Sequence, residues 1–159
     1  MTISVGDRIP EASLQVMGEN GPGPVTTDEL FAGKTVALFA VPGAFTPTCS
    51  AKHLPGFIDK ADAIKAKGVD AIVCVSANDV FVMDAWGKAQ NAGDTVVMAA
   101  DGDAGFAKAL GLDMDTKAFG GPRSKRYSMV VKDGVVSALN VEDGGDFAVS
   151  DADTLLGQL

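Results

Sequence analysis

Cys49, Cys74, the only histidine His53, and the neighbouring Arg123 and Arg126 are the side chains of this 159-residue chain best suited to covalent chemistry. Cys49 follows Pro42-Gly-Ala-Phe-Thr-Pro-Thr48, a loop stiffened by two prolines, and opens a stretch that reads as a helix. At a helix N-terminus the unpaired N–H groups and the dipole favour an anion, so a thiol there is pushed toward the nucleophilic thiolate. The same position also suits a small buried residue at a strand–helix junction. Thr48 is placed to cap the helix. Thr46 precedes Pro47 and makes no simple cap, which leaves its hydroxyl to reach the sulfur or a substrate oxygen. His53, four residues past Cys49, shares its helix face. A Cys–His pair can serve a cysteine hydrolase, but papain-like enzymes bring the histidine from elsewhere in the fold, and this chain has one. A cysteine phosphatase needs Cys-x5-Arg, and the position holds Pro55. No P-loop or GxGxxG pattern occurs. Cys74 sits inside an apolar run and reads as an inert core thiol. Phe81 and Trp86 read as core. Arg123 and Arg126 either form a solvated strand edge, or one of them stands beside Cys49 and stays charged at any working pH.

The elements that must position these groups alternate. An apolar run, Val36–Val41, reads as a buried strand feeding the Cys49 loop. Helical pattern runs from Cys49 to about Lys67 and stops at Gly68, with Pro55 expected to kink it. Ala71–Ser76 suits a strand covered on both faces. Asn78 is placed to cap a helix over Asp79–Asn91, followed by a strand at Thr95–Ala100 and a short helix at Asp103–Leu110. Upstream, Ala12–Met17 reads as an edge strand, Gly18–Pro24 as a turn, and Thr27 as the cap of a helix over Asp28–Phe31. Leu112–Ser124 reads as irregular. Asp133-Gly134 between Tyr127–Lys132 and Val135–Asn140 is a strong hairpin signal. Ser150 begins a last helix, Asp151–Leu159, with Asp153 at the capping-box spacing. The order β-β-α-β-α-β-α-β-β-α implies a three-layer α/β sandwich, helices flanking a mixed central sheet, in one domain over residues 1–159.

Composition narrows the partners. Thirteen basic against 21 acidic residues give a net charge of −8, which argues against nucleic acid or an anionic membrane surface. No segment has the ~20 clean apolar residues of a membrane span. Met1–Arg8 has no secretory apolar region, so a cytoplasmic protein is expected. The two cysteines make no CxxC and no disulfide framework, a lone histidine argues against a His/Cys metal site, and no cofactor is expected.

Pro42-Gly-Ala-Phe-Thr46-Pro-Thr-Cys49 matches the peroxiredoxin signature P-x-x-x-[TS]-x-x-C. The continuation Ser50-Ala-Lys-His-Leu-Pro-Gly-Phe57 resembles the peroxiredoxin-5, or type II, subfamily. So do Lys67–Phe81, Arg126–Gly134 and Ala138–Glu142, and the similarity spans essentially the whole chain. The resemblance implies a thioredoxin-like fold and reduction of hydrogen peroxide and organic hydroperoxides. It implies Cys49 as peroxidatic nucleophile, Thr46 as its hydroxyl partner, Pro42 as a shield over the thiolate and Arg126 as the activating cation. It puts Phe45 and Phe119 at the substrate pocket, and it implies a homodimer. Some subfamily members carry a resolving cysteine in the loop before the last helix. Here that loop reads Gly144-Gly-Asp-Phe-Ala-Val-Ser150, without one. An external reductant is therefore expected: glutathione with glutaredoxin, or thioredoxin. A peroxide sensor relaying oxidation to a partner protein uses the same cysteine chemistry. A general thiol–disulfide oxidoreductase is disfavoured by the absence of CxxC.

Overall fold

The computed structural model describes residues 2–159. The site is built on β3 (Thr35–Val41), an interior strand whose residues after Thr35 are all buried because both its faces are covered. The period of two divides them. Ala37, Phe39 and Val41 face one layer, and Val36, Leu38 and Ala40 face the other. β3 runs parallel to β4 (Ala71–Ser76), and β4 runs parallel to β5 (Val97–Ala100). On its other side β3 pairs antiparallel with β8 (Tyr127–Lys132), which continues through Asp133-Gly134 into β9 (Val135–Val141). Asp133 (φ 48°) and Gly134 (φ 78°) are both left-handed, the demand of the two-residue turn that joins twisted strands.

The outer strands differ from the sequence reading. β1 (Ser13–Gly18) is not at the edge; it lies between β5 and β2 (Gly21–Thr26), a strand formed from most of the stretch expected to be a turn. Pro22 and Pro24 disguised it. An edge strand tolerates prolines that a central strand would exclude. The full order is β2-β1-β5-β4-β3-β8-β9. Leu112–Ser124 is not wholly irregular either. β6 (Asp113–Asp115) and β7 (Pro122–Ser124) pair as a separate two-stranded sheet around a 3-10 turn at Lys117–Phe119.

Helices α2 (Leu54–Asp59), α3 (Ala61–Ala66), α4 (Val80–Ala89) and α6 (Ala152–Leu156) pack on the Phe39 side of the sheet. Helices α1 (Thr27–Phe31) and α5 (Gly105–Leu110) cover the Leu38 side. This is the expected three-layer sandwich with a mixed sheet. Three caps sit one residue from their expected positions. Thr26, Asp79 and Asp151 cap α1, α4 and α6. Thr27, Asn78 and Ser150 were the expected ones, and tertiary contacts engage each of them elsewhere. The Thr27 hydroxyl donates to Pro10 O and accepts from the Ala12 N–H. Asn78 and Ser150 belong to the site described next.

Candidate active site

Beyond Val41 the chain crosses the C-terminal end of β3 as a loop and enters a helix at Pro47. The Ser50 N–H donates to Thr46 O at 2.9 Å, so Thr46 is the last residue before the helix. Cys49 therefore lies in the first turn, where an amide has no partner four residues back. Its side chain is fully buried. Thr48 is already helical and makes no cap. The Thr46 hydroxyl donates to Gly43 O at 2.7 Å, leaving its oxygen lone pairs to face a ligand.

The helix does not continue regularly. Over Cys49–His53 it widens to a π-turn in which the Leu54 N–H bonds Cys49 O. Pro55 has no N–H to give Ala51, and the missing donor falls where the widened turn meets α2. The kink expected at Pro55 thus takes the form of a π-turn carrying the thiol.

Neighbouring elements hold the loop. Asn78 Oδ1 accepts from the Ala44 N–H at 2.9 Å and from the Ser76 hydroxyl. Trp86 Nε1 donates to Ser50 Oγ at 3.0 Å. Arg123 donates through Nε to Gly120 O and through Nη1 to Ala77 O. A Cβ on Gly120 would lie 2.6 Å from Arg123 Nε, so that close approach requires glycine.

Arg126 enters β8 opposite the end of β3, and it is buried. Its Nη2 lies 3.0 Å from Cys49 Sγ. Its Nη1 lies 2.9 Å from His53 Nδ1, and His53 Nε2 lies 2.9 Å from Ser150 O. A guanidinium can only donate and a carbonyl can only accept. His53 must therefore be neutral, with Nδ1 accepting and Nε2–H donating. Burial first, and the Arg126 charge second, lower its pKa to about 3. The rings of Phe39, Phe57 and Phe147 surround it at centroid distances of 4.9, 5.7 and 5.0 Å.

Ser150 is held in turn by Glu142. One carboxylate oxygen of Glu142 accepts from the Ser150 N–H at 2.7 Å and the Ser150 hydroxyl at 2.6 Å. The same carboxylate accepts from the N–H groups of Ala148 and Val149. Burial acts to raise the Glu142 pKa, but these hydrogen bonds outweigh it and hold the group below the usual carboxylate range. Cys74, beside Phe39 in the adjacent strand, is buried on the same face. Burial, and then the nearby Cys49, push its thiol up, against a smaller pull from Arg126. Both cysteines are free.

A buried thiol at a helix start, with a guanidinium on its sulfur, is equipped for nucleophilic attack on an electron-poor atom. Comparison with known proteins supplies the family. The family model described as Redoxin matches residues 4–156. The chloroplastic Peroxiredoxin-2E-2 of Oryza sativa subsp. japonica is 51% identical over 164 residues, covering 99% of this chain and 73% of that protein. The crystal structure of reduced Prx3 in complex with H2O2 from Vibrio vulnificus superposes with a TM-score of 0.96 at 57% identity, covering 98% of both chains. That of peroxiredoxin 5 from Alvinella pompejana gives 0.85 at 32% identity, covering 98% and 97%.

The chain is a peroxiredoxin.

It belongs to the type II subfamily, has the thioredoxin-like fold, and is a thiol-dependent peroxidase. Within this peroxiredoxin the structure gathers Cys49, Arg126 and His53 into direct contact, with Thr46 three residues upstream of the thiol. Pro42 is half-buried at the exit of β3. Phe45 and Phe119 are 56% and 76% exposed, so neither is a buried wall of the site in one subunit. Phe45 adopts φ 63°, and its ring lies 6.5 Å from that of Trp86. Trp86 is core as expected, whereas Phe81 is 62% exposed, turned outward on α4. Sequence reasoning weighed His53 only as a partner for the thiol; it is a partner for the arginine. Glu142, Ser150, Asn78 and Phe147 were missed. Their one sequence signal was the pair of expected caps, Asn78 and Ser150, next to residues that cap equally well.

Proposed function

We propose that Cys49 is the peroxidatic cysteine of this peroxidase and that an external thiol recycles it. One observation carries the assignment: Arg126 Nη2 stands 3.0 Å from a fully buried sulfur at the C-terminal end of β3. The Cys49 thiolate attacks one peroxide oxygen in line with the O–O bond. The S–O bond forms, the O–O bond breaks, and the departing oxygen leaves as hydroxide or alkoxide and takes a proton to become water or alcohol. Cysteine is oxidised to the sulfenic acid as the peroxide is reduced. Full ionisation of an ordinary thiol raises its reactive fraction at neutral pH only about 30-fold. Orientation and charge stabilisation must supply the rest. Arg126 meets the charge moving from sulfur to oxygen, and the first-turn amide of Cys49 offers a second donor. Thr46, its own proton committed to Gly43 O, accepts a hydrogen bond from a peroxide hydroxyl. Pro42 limits the approach of water.

The loop before α6 has no cysteine, and Cys74 is buried in β4, so the sulfenic acid has no ready partner in its own subunit. Glutathione with glutaredoxin, or thioredoxin, then returns it to thiol. Such recycling needs a reducing compartment, and we assign the protein to the cytoplasm. Exposed Phe45 and Phe119 beside the active-site loops support pairing of two subunits at that edge.

Intact-mass measurement tests the cycle. One equivalent of peroxide should leave a Cys49 sulfenic acid that a dimedone-type probe traps, excess peroxide the sulfinic acid, and added glutathione a single mixed disulfide. Cys49→Ser should abolish turnover, and Cys74→Ser should keep most of it. A stoichiometric Cys49–Cys74 disulfide would overturn the external-thiol scheme. Oxidation without turnover under both reductant systems would favour a peroxide sensor.

A further inference from the structure

Arg126 is aimed by two hydrogen bonds, one to the sulfur and one to His53. The second has an unusual acceptor. A carboxylate at that position would grip the guanidinium more strongly, but it would also cancel the charge the thiolate needs. A neutral imidazole holds the direction and leaves the charge for the sulfur. It can do so only while its Nδ1 lone pair is free, which requires the proton to stay on Nε2. Ser150 O accepts that proton's hydrogen bond. Ser150 in turn is clamped by the buried Glu142 carboxylate through its N–H and its hydroxyl. The Glu142 N–H also bonds Arg126 O at 3.0 Å, so both ends of the chain of contacts are tied to the same strand pair. Phe147, on the loop that Glu142 organises, lies 5.0 Å from the His53 ring and 5.8 Å from Arg126 Cζ, closing the outer side.

We propose that Glu142, Ser150 and His53 form a positioning relay that holds the Arg126 guanidinium on Cys49, which makes the loop between β9 and α6 part of the active site. The relay touches no substrate; it acts through Arg126. The charged groups that bear on its histidine are Arg126, Glu142 and Asp151. Replacing Glu142 by glutamine turns an amide NH2 toward a ring of donors, and the loop should loosen. Ser150 O then leaves His53, the imidazole is free to turn or change tautomer, and the guanidinium loses its second anchor. A misplacement of about 1 Å at a reacting centre can cost on the order of 100-fold in rate.

The proposal rests on the roles assigned above to Cys49 and Arg126, and the test separates the two. Single-turnover peroxide oxidation is followed by the fluorescence of Trp86, which is bonded to the residue after Cys49. Glu142→Gln and His53→Leu should each slow the reaction about 10- to 100-fold. His53→Asn, whose side-chain oxygen can take the place of Nδ1, should recover most of the rate. In an Arg126→Ala background neither change should slow the reaction further, because the relay then has nothing to aim. A slowing of the same factor in both backgrounds would show a general structural role and overturn the relay. So would a folded Glu142→Gln protein with the wild-type rate. If Glu142→Gln does not fold, the His53→Leu and His53→Asn pair carries the same comparison. An Arg126→Ala protein with the full wild-type rate would overturn the Arg126 assignment, and the relay with it.

Discussion

At the scale of single residues the site depends on which arginine faces the sulfur. Arg123 belongs to the small β6–β7 sheet and braces Gly120 and Ala77. Arg126 leads into β8 and reaches Cys49. Arg126→Ala should therefore lower the second-order rate of peroxide reduction by about 10²- to 10³-fold, the usual cost of losing one preorganised donor. Arg126→Lys should recover little. A lysine is a point charge on a flexible stem and cannot span Sγ and Nδ1 in one plane. Arg123→Ala should have a smaller effect on the rate, since its bonds are to backbone carbonyls around the loop. Stopped-flow oxidation of the three variants beside wild type checks the ordering.

The elements contribute unequally to the site and to stability. β3, the π-turn and the start of β8 bring Cys49 and Arg126 together, while α1 lies on the opposite face of the sheet. The capping box of α1 is complete, with the Thr26 hydroxyl accepting from the Glu29 N–H and the Glu29 carboxylate accepting from the Thr26 N–H. Thr26→Ala should cost about 1 kcal/mol of stability, read from the urea midpoint, and leave the peroxide rate unchanged. A fall in rate would mean that the two faces of the sheet are mechanically linked. The π-turn illustrates the other case. There a helix gives up regular hydrogen bonding at the segment that carries the thiol, and a neighbouring tryptophan and a buried histidine hold what the backbone no longer does.

For the whole molecule, the neutral histidine has a consequence in acid. Unfolding returns His53 to an ordinary value near 6.5, while in the fold it titrates at about 3. Between these values the unfolded chain binds a proton that the folded chain refuses, so stability falls as pH is lowered through that window. The slope for one such group is about 1.4 kcal/mol per pH unit. Glu142 acts in the same direction lower down: its contribution is full above its unfolded value of 4.5 and is lost as pH falls through its depressed folded value. Asp101 opposes them, because its burial raises its carboxyl. The unfolding free energy read from urea titrations should therefore be highest near neutrality and decline by a few kcal/mol toward about pH 4. In His53→Asn the decline between about pH 6.5 and 4.5 should disappear. An unchanged acid profile in that variant would show that other groups govern it.

By itself the sequence determined what short-range physics can encode. Six consecutive apolar residues, Val36–Val41, demand a strand with both faces covered. Asp133-Gly134 supplies the left-handed turn of a hairpin, and Pro42 to Cys49 spells a stiff loop ending in a thiol. Those segments, with the family signature they contain, sufficed for the fold class and the activity. The tertiary structure decided which distant groups meet. Cys49 and Arg126 are 77 residues apart, and His53 and Ser150 are 97 apart. Their contacts depend on β8 lying beside β3, and strand order leaves no trace in local periodicity. Asn78 and Ser150 looked like helix caps because a cap and a tertiary hydrogen bond require the same side chains. Prolines hid β2 because only its place at the sheet edge makes them tolerable. Glu142 carries no local signal of its role, because the donors that hold it, on Ala148, Val149 and Ser150, meet it only once the loop has folded around it.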